Sequence, residues 1–219
     1  MTKLFTRLRE GAGAVWERYV GHQFVLGLGD GSLRRDAFRN FLVQDYLFLI
    51  QYARAYTLLA YKLDEPDDMR AALATAAVLM DTEMPLHVSY CAGWGITEAQ
   101  MRTAPPALEL FAYTRYVLEL GMAGDALDLM VALAPCIAGY AEIGARLAPE
   151  LRPDNPYKAW IDTYTGAAYN GAVAASLKML DRLGASRGAE PRLPRLQAIF
   201  TQATELEAAF WETGWLAQP

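Results

Sequence analysis

The chain has 219 residues, 53% of them apolar and 21% charged, with a net charge of −5 and a pI near 5.1. That length and balance suit one helical domain over 1–219 and exclude a disordered class. The acidic excess argues against a nucleic acid or an anionic membrane as partner, since both need a basic face, and favours a small neutral or cationic ligand.

Apolar residues recur at helical spacing almost throughout, and no pair of alternating runs joined by a tight turn marks a hairpin. The expected class is all-α. A first helix runs from Thr2, its N-cap, to about Val20, with Leu4, Leu8, Val15 and Tyr19 inward. The cluster Gly27-Leu-Gly-Asp-Gly31 lacks the order of a phosphate cradle, follows no strand, and reads as a turn. Ser32 or Asp36 then caps a long helix carrying Phe38, Phe41, Leu42, Asp45, Tyr46, Leu49, Tyr52, Ala53 and Tyr56. Asp67 opens the next helix, which reaches about Tyr90 with a kink at Pro85. After a stop at Gly93–Gly95, Thr97 and Gln100 form a near capping box.

Pro105-Pro106 marks the entry to a helix ending in the run 121–124. Residues 125 to about 148 form a further helix, bent or divided at Pro135. The segment Pro153–Pro156 is a loop. One helix covers Tyr157 to about Leu183, with Trp160, Ile161, Tyr164, Val173, Leu177 and Leu180 inward. A polar loop spans Gly184–Pro194, and Leu193–Trp215 is the last helix, with order fading from Gly214 to Pro219. Seven or eight helices with no repeat period make an up-and-down bundle.

Cys91 and Cys136 are 45 residues apart and no CxxC pair exists, so neither a disulfide framework nor structural zinc is indicated. The first ten residues lack the apolar core of a signal peptide, and no stretch approaches the roughly 20 uninterrupted apolar residues of a membrane span. The expectation is a soluble, cytoplasmic protein in a reducing compartment.

The stretch Leu133-Ala-Pro-Cys-Ile-Ala-Gly-Tyr140 concentrates the chemistry. Proline is at ease in the first turn of a helix, which would set Cys136 beside unpaired backbone N–H groups and favour a thiolate. Tyr140, at i+4, shares its face. On the other reading Cys136 is a small buried hydrophobe and Tyr140 a core aromatic. Asp45, set among Phe41, Tyr46, Phe48, Leu49 and Tyr52, is costly to bury unless it binds something or pairs with an arginine elsewhere. Of Glu205 and Glu207, Glu207 shares a face with Phe210 and Trp211 and is the inward carboxylate. A di-metal bundle site needs two Glu-x-x-His motifs, and only Glu83 and His87 are suitably spaced. His22, in a loop, is a conceivable but unsupported haem ligand. No metal or cofactor is expected. A cysteine, two carboxylates and many tyrosines on separate helices suit covalent catalysis on a flat, polar ring.

These residues fall in strings that resemble the TenA (thiaminase II) aminopyrimidine hydrolases: Gly27-Leu-Gly-Asp-Gly-Ser-Leu33, Phe38-Arg-Asn-Phe-Leu-Val-Gln-Asp-Tyr-Leu-Phe-Leu49, Tyr52-Ala-Arg54, Leu133-Ala-Pro-Cys136, Tyr140-Ala-Glu-Ile-Gly144, Tyr157-x-x-Trp-Ile-x-x-Tyr164 and Glu207-x-x-Phe-Trp-Glu212. The resemblance implies a haem-oxygenase-like bundle, usually a homotetramer, that hydrolyses 4-amino-5-aminomethyl-2-methylpyrimidine to its hydroxymethyl counterpart and ammonia in thiamin salvage, with thiamin itself a further substrate. It makes Cys136 the nucleophile, Glu207 the general acid/base, and Asp45 the carboxylate that holds the ring's amino and ring-nitrogen edge. Tyr113, Tyr140 and Tyr164 become pocket tyrosines, and Phe48 and Phe210 pocket walls. Phe48 stands where some members have tyrosine, and Ala168-Tyr169 stand where many have glutamate and phenylalanine. The alternatives are a cofactorless oxidase or di-metal enzyme on the same bundle, suggested by Glu83 and His87, and a non-catalytic pyrimidine-binding or regulatory protein.

Overall fold

The computed structural model describes residues 3–215, and its elements are helices joined by short turns, with no strand among the described residues. The proposed cap at Thr2 and the fading at Pro219 lie outside them. The helices are α1 (Lys3–Val20), α2 (Gln23–Asp30), α3 (Arg35–Lys62), α4 (Pro66–Val78), α5 (Met84–Ala92), α6 (Glu98–Thr103), α7 (Leu108–Ala123), α8 (Ala126–Leu147), α9 (Lys158–Thr165), α10 (Ala167–Ser186) and α11 (Ala189–Trp215). A π-helical turn at Leu79–Glu83 joins α4 to α5, and a 3-10 turn at Ala148–Glu150 follows α8.

The eleven α-helices among the described residues exceed the seven or eight expected because three stretches read as turns or single helices behave otherwise. The glycine cluster is the end of α2, where a Cβ on Gly29 would lie 2.6 Å from Leu147 and one on Gly27 3.2 Å from the Leu33 backbone. These glycines allow close packing, and only Gly31, at φ 80°, turns the chain. The segment 157–183 is broken at Gly166, whose extended backbone separates α9 from α10. The expected single helix across Pro85 is interrupted by the π turn.

Other local expectations are also corrected. Neither Ser32 nor Asp36 caps α3. Arg34 holds the N-cap position without a side-chain cap, and Asp36 lies in the first turn. Glu65 is the N-cap of α4, one residue before Pro66, and Asp67 follows in the first turn. In α1 the backbone leaves helical geometry at Gly13 (φ 42°), which rotates the second half so that Trp16 is buried and Val15 only half-buried. The supposed loop at 184–194 is almost wholly helical. Gly184 lets α10 approach Leu4, Gly188 turns at φ 68°, and Pro194 lies inside α11. Gly214 is buried in α11 against Phe24 and Phe41. His22 caps α2, its Nδ1 accepting from the Phe24 N–H at 3.1 Å while Nε2 meets Glu212 at 2.9 Å. The capping box at Thr97 and Gln100 forms in full.

Helix α8 runs through the middle, against α1, α3, α7, α9, α10 and α11. Its first ten residues are all buried, which is why they carry almost no charge. By length and composition the segment Ala126–Glu150 could cross a membrane, closer to a span than the sequence reading allowed, and 83% of its most apolar window is buried inside the protein. Asp128, the charged exception, is held by Arg192 at 2.8 Å and Arg195 at 3.2 Å on α11. Glu142 ties α8 to α1 by accepting from both Arg9 (2.7 and 2.9 Å) and the Trp16 indole (3.0 Å).

Gly139 marks the tightest crossing. A Cβ there would lie 2.6 Å from the hydroxyl of Tyr19, whose ring is fully buried against Trp16 and Trp211. Gly139→Ala is expected to cost about 1–3 kcal/mol by overpacking, read as a lower urea midpoint. An unchanged midpoint would mean that Tyr19 moves aside freely.

Candidate active site

Pro135 does not divide α8. The helix starts nine residues earlier, at Ala126, so Cys136 lies in mid-helix rather than at an N-terminus. The proline removes an N–H instead of exposing several, and leaves the Val131 carbonyl without its intrahelical partner. Hydroxyls from neighbouring helices bind the backbone around this point: Tyr52 donates to the Leu133 carbonyl at 2.8 Å and Tyr169 to the Ile137 carbonyl at 3.1 Å.

The sulfur of Cys136 faces a cavity of about 380 Å³ enclosed by α3, α4, the π turn, α8, α9 and α10. Five of the expected site residues line it: Asp45, Phe48, Cys136, Tyr140 and Tyr164. The exposed residues of its lining, Ala74, Val78, Thr82, Ala168 and Ala175, lie on α4, the π turn and α10. Ala168, one of the departures from the family pattern, is therefore part of the exposed edge of the lining. Such an enclosed, mostly apolar space with a few polar groups is the usual form of a small-molecule site.

Tyr113, Glu207 and Phe210 do not line the cavity. They project from α7 and α11 behind it: Phe210 packs against Phe48 at 5.6 Å and Tyr113 stacks on Phe48 at 5.2 Å. Phe48 is thus the wall, and the other two rings fix its plane. Glu207 is fully buried beside the sulfur and accepts a 2.7 Å hydrogen bond from the Tyr113 hydroxyl.

Burial dominates the protonation of this pair. It pushes the Glu207 carboxyl up to about 8, against the lowering effect of hydrogen bonds from Tyr113 and Cys136. Burial, reinforced by the charge of Glu207, also pushes the Cys136 thiol well above its ordinary range, opposed by a hydrogen bond with Tyr52. The expected preformed thiolate is therefore overturned, since a mid-helix sulfur gains nothing from the dipole and loses solvation. What stands in its place is a thiol beside a carboxyl group that can take its proton once ionised, as pH approaches about 8.

At another part of the lining, Asp45 pairs with a histidine, not the arginine anticipated. Its Oδ2 lies 2.6 Å from His87 Nε2, while His87 Nδ1 lies 2.8 Å from the Glu83 carbonyl. A carbonyl can only accept, so Nδ1 bears a proton, and a carboxylate facing Nε2 requires a second one there. Burial alone would lower the basicity of His87, but the bond to Asp45, the charge of Asp45 and the Glu83 carbonyl outweigh it, and the net shift is upward. Both ring nitrogens are thus committed, leaving none for a metal. No cluster of three or more His, Cys, Asp or Glu suited to a metal occurs among the described residues.

Sequence reading missed the pocket role of Tyr52, Tyr56 and Tyr169, and weighed Glu83 only for metal. The signal was present on α3, where Asp45, Phe48, Tyr52 and Tyr56 lie on one stripe. All of these residues line the same cavity.

Comparison with known proteins agrees with this architecture. The family model described as TENA/THI-4/PQQC matches residues 11–217. An aminopyrimidine aminohydrolase of Halalkalibacterium halodurans is 33% identical over 94% of this chain and 92% of its own. A structure from Silicibacter sp. TM1040, described as a TenA family transcription regulator, superposes with a TM-score of 0.93 at 43% identity, covering 99% of this chain and 98% of that one. A domain of unknown function with a haem oxygenase-like fold from Shewanella denitrificans reaches a TM-score of 0.75 at 12% identity, covering 97% and 92%, a likeness of fold alone. The bundle is haem-oxygenase-like, and the chain belongs to the TENA/THI-4/PQQC family.

Proposed function

We propose that the protein is an aminopyrimidine aminohydrolase that converts 4-amino-5-aminomethyl-2-methylpyrimidine to the 5-hydroxymethyl compound and ammonia, through covalent catalysis by Cys136. The observation that carries this reading is the single cavity lined by both a thiol backed by a buried carboxyl and a carboxylate held by a histidine. The relative named for this activity supports it.

The pyrimidine lies between the Phe48 ring and the tyrosines at 140 and 164, with its amino group donating to Asp45. Sulfur adds to the unsubstituted ring carbon as the thiol proton passes to the Glu207 carboxylate. The electron pair displaced from the ring's double bonds ends on the nitrogen beside the amino-bearing carbon. Glu207 then returns a proton to the departing amine, and the carbon–nitrogen bond breaks to leave an exocyclic methylene on the ring. Water adds to that methylene, Glu207 takes up the spare proton, the sulfur leaves with its bonding pair as the aromatic ring is restored, and Glu207 returns the proton to the sulfur. The Tyr113 hydroxyl holds Glu207 in place throughout.

Ammonia release from the aminomethylpyrimidine, with the hydroxymethyl product formed in equal amount, is the direct test. Its absence with purified protein would end this reading. Thiamin and formylated pyrimidines assayed alongside rank the substrates. Asp45→Asn is expected to raise KM and lower kcat/KM about 10- to 100-fold, the value of a charge-assisted hydrogen bond at ~1.5–3 kcal/mol. An unchanged KM would remove Asp45 as the ring anchor.

A further inference from the structure

Tyr19 carries a polar group that the steps above leave without a task. The side chain is fully buried, and its hydroxyl closes no hydrogen bond of ordinary geometry among the described residues. Holding a phenol out of water unpaired is costly, so such a group in a native core calls for a reason. Its surroundings supply one. The ring is wedged between Trp16, edge-on at 5.7 Å, and Trp211, stacked at 6.2 Å. Indole nitrogens only donate, so neither tryptophan can take the hydroxyl proton. Trp211 stands one helical turn after Glu207 on α11, and the stack therefore brings Tyr19 to the stripe that carries the buried carboxyl. On the other side α8 presents Gly139, one turn after Cys136, where a Cβ would lie 2.6 Å from the hydroxyl. The hydroxyl fills the space that a glycine leaves between the sulfur's helix and the carboxyl's helix.

Resting on the aminopyrimidine reading, we propose that Tyr19 is a positioning residue for Glu207, its hydroxyl donating to the carboxylate whenever Glu207 is ionised. Before reaction the carboxyl accepts from Tyr113 at 2.7 Å and has the Cys136 thiol as a second donor. Once sulfur is bonded to the ring, that second donor is gone. Glu207 nevertheless becomes a carboxylate again when it protonates the departing amine, and Tyr113 alone would then hold it. Tyr19 is placed to supply the missing bond. No proton leaves the phenol, because burial and the charge of Glu207 hold it well above its ordinary range.

The groups that face Glu207 are Tyr19 from α1, Asp45 from α3, Tyr113 from α7, Cys136 and Tyr140 from α8, and Tyr169 from α10. None is a cation, so the carboxylate depends on neutral donors. Burial and the charge of Asp45 push Glu207 up to about 8, while Tyr113, Cys136 and Tyr19 pull the other way.

The test is Tyr19→Phe, alone and combined with Glu207→Gln. Alone, it should move the rising limb of kcat/KM to higher pH by about one pH unit and lower kcat/KM at neutral pH about 10-fold. Its melting temperature should fall more between pH 5 and pH 9 than that of wild type, since the folded protein then keeps the Glu207 proton to a higher pH. In the Glu207→Gln background the hydroxyl has no carboxylate to serve, and Tyr19→Phe should leave both pH dependences unchanged. A purely structural ring would lower activity and melting temperature alike at every pH. Either an unmoved limb or a melting curve parallel to that of wild type would overturn the role of Tyr19. Should Tyr19→Phe fail to fold, Gly139→Ala, which crowds the same hydroxyl, decides by the same limb. The melting curves need no substrate, so they separate this role from the hydrolysis reading, which absence of ammonia release would end by itself.

Discussion

Cys136→Ser should leave a folded protein whose ammonia release from the aminomethylpyrimidine falls by on the order of 10³- to 10⁶-fold, the range set by deleting a nucleophile whose partners remain. The substitution is nearly isosteric and faces a cavity, so little packing is lost, and the melting temperature should stay within a few degrees. A hydroxyl is a far weaker nucleophile than sulfur at the same site, and Glu207 cannot compensate for that difference. The wild-type thiol is held neutral by burial and by the charge of Glu207, so alkylating reagents should modify it slowly until substrate or high pH draws the proton away. A serine variant with a rate near wild type would place the chemistry on water and the carboxyl groups alone.

Glu207→Gln is expected to lower kcat about 10²- to 10⁴-fold, because one residue serves as base for the thiol and acid for the departing amine. The limb of kcat/KM that rises with pH belongs to the ionisation of Glu207 and should be absent from the residual rate. Stability should move the other way. The folded-state carboxyl titrates at about 8 against an ordinary 4.5, so the folded protein holds a proton that the unfolded chain releases. The contribution is most favourable below the unfolded value and is lost as pH rises from there through about 8. Glutamine keeps the Tyr113 hydrogen bond and does not titrate. Wild-type melting temperature should therefore fall between pH 5 and pH 9 more than that of the variant, with the variant the more stable at pH 9. Parallel curves would show that Glu207 is better solvated than its surroundings indicate. Loss of activity with gain of stability is the pattern of a charge buried for chemistry.

The site's pH dependence rests on carboxyl groups that share one enclosed space. Burial raises both Glu83 and Glu207, and the charge of Asp45 raises each further, while hydrogen bonds from Tyr113 and Cys136 oppose the shift of Glu207. Only the ionised fraction of Glu207 accepts the thiol proton, so ammonia release should rise with pH towards about 8.

What the sequence determined by itself was the helical class, the inward faces of α3, α9, α10 and α11, and the choice of Glu207 over Glu205. These follow from the 3.6-residue period, which is local: Glu207 is 1% exposed, whereas Glu205 points outward. The strings shared with a known family added the grouping of Asp45, Cys136 and the tyrosines. Only the tertiary structure decided the rest. Whether a glycine bends the chain or admits a neighbour depends on what packs against it, as Gly29 against Leu147 and Gly139 against Tyr19 show. Whether Cys136 meets a helix end or a helix middle depends on how far α8 extends before it, and Pro135 alone could not say. The partners of Asp45 and Cys136 lie 42 and 71 positions away along the chain, at His87 and Glu207. Protonation inside the site is set by burial and by charges brought together from different helices, and no local pattern encodes that sum.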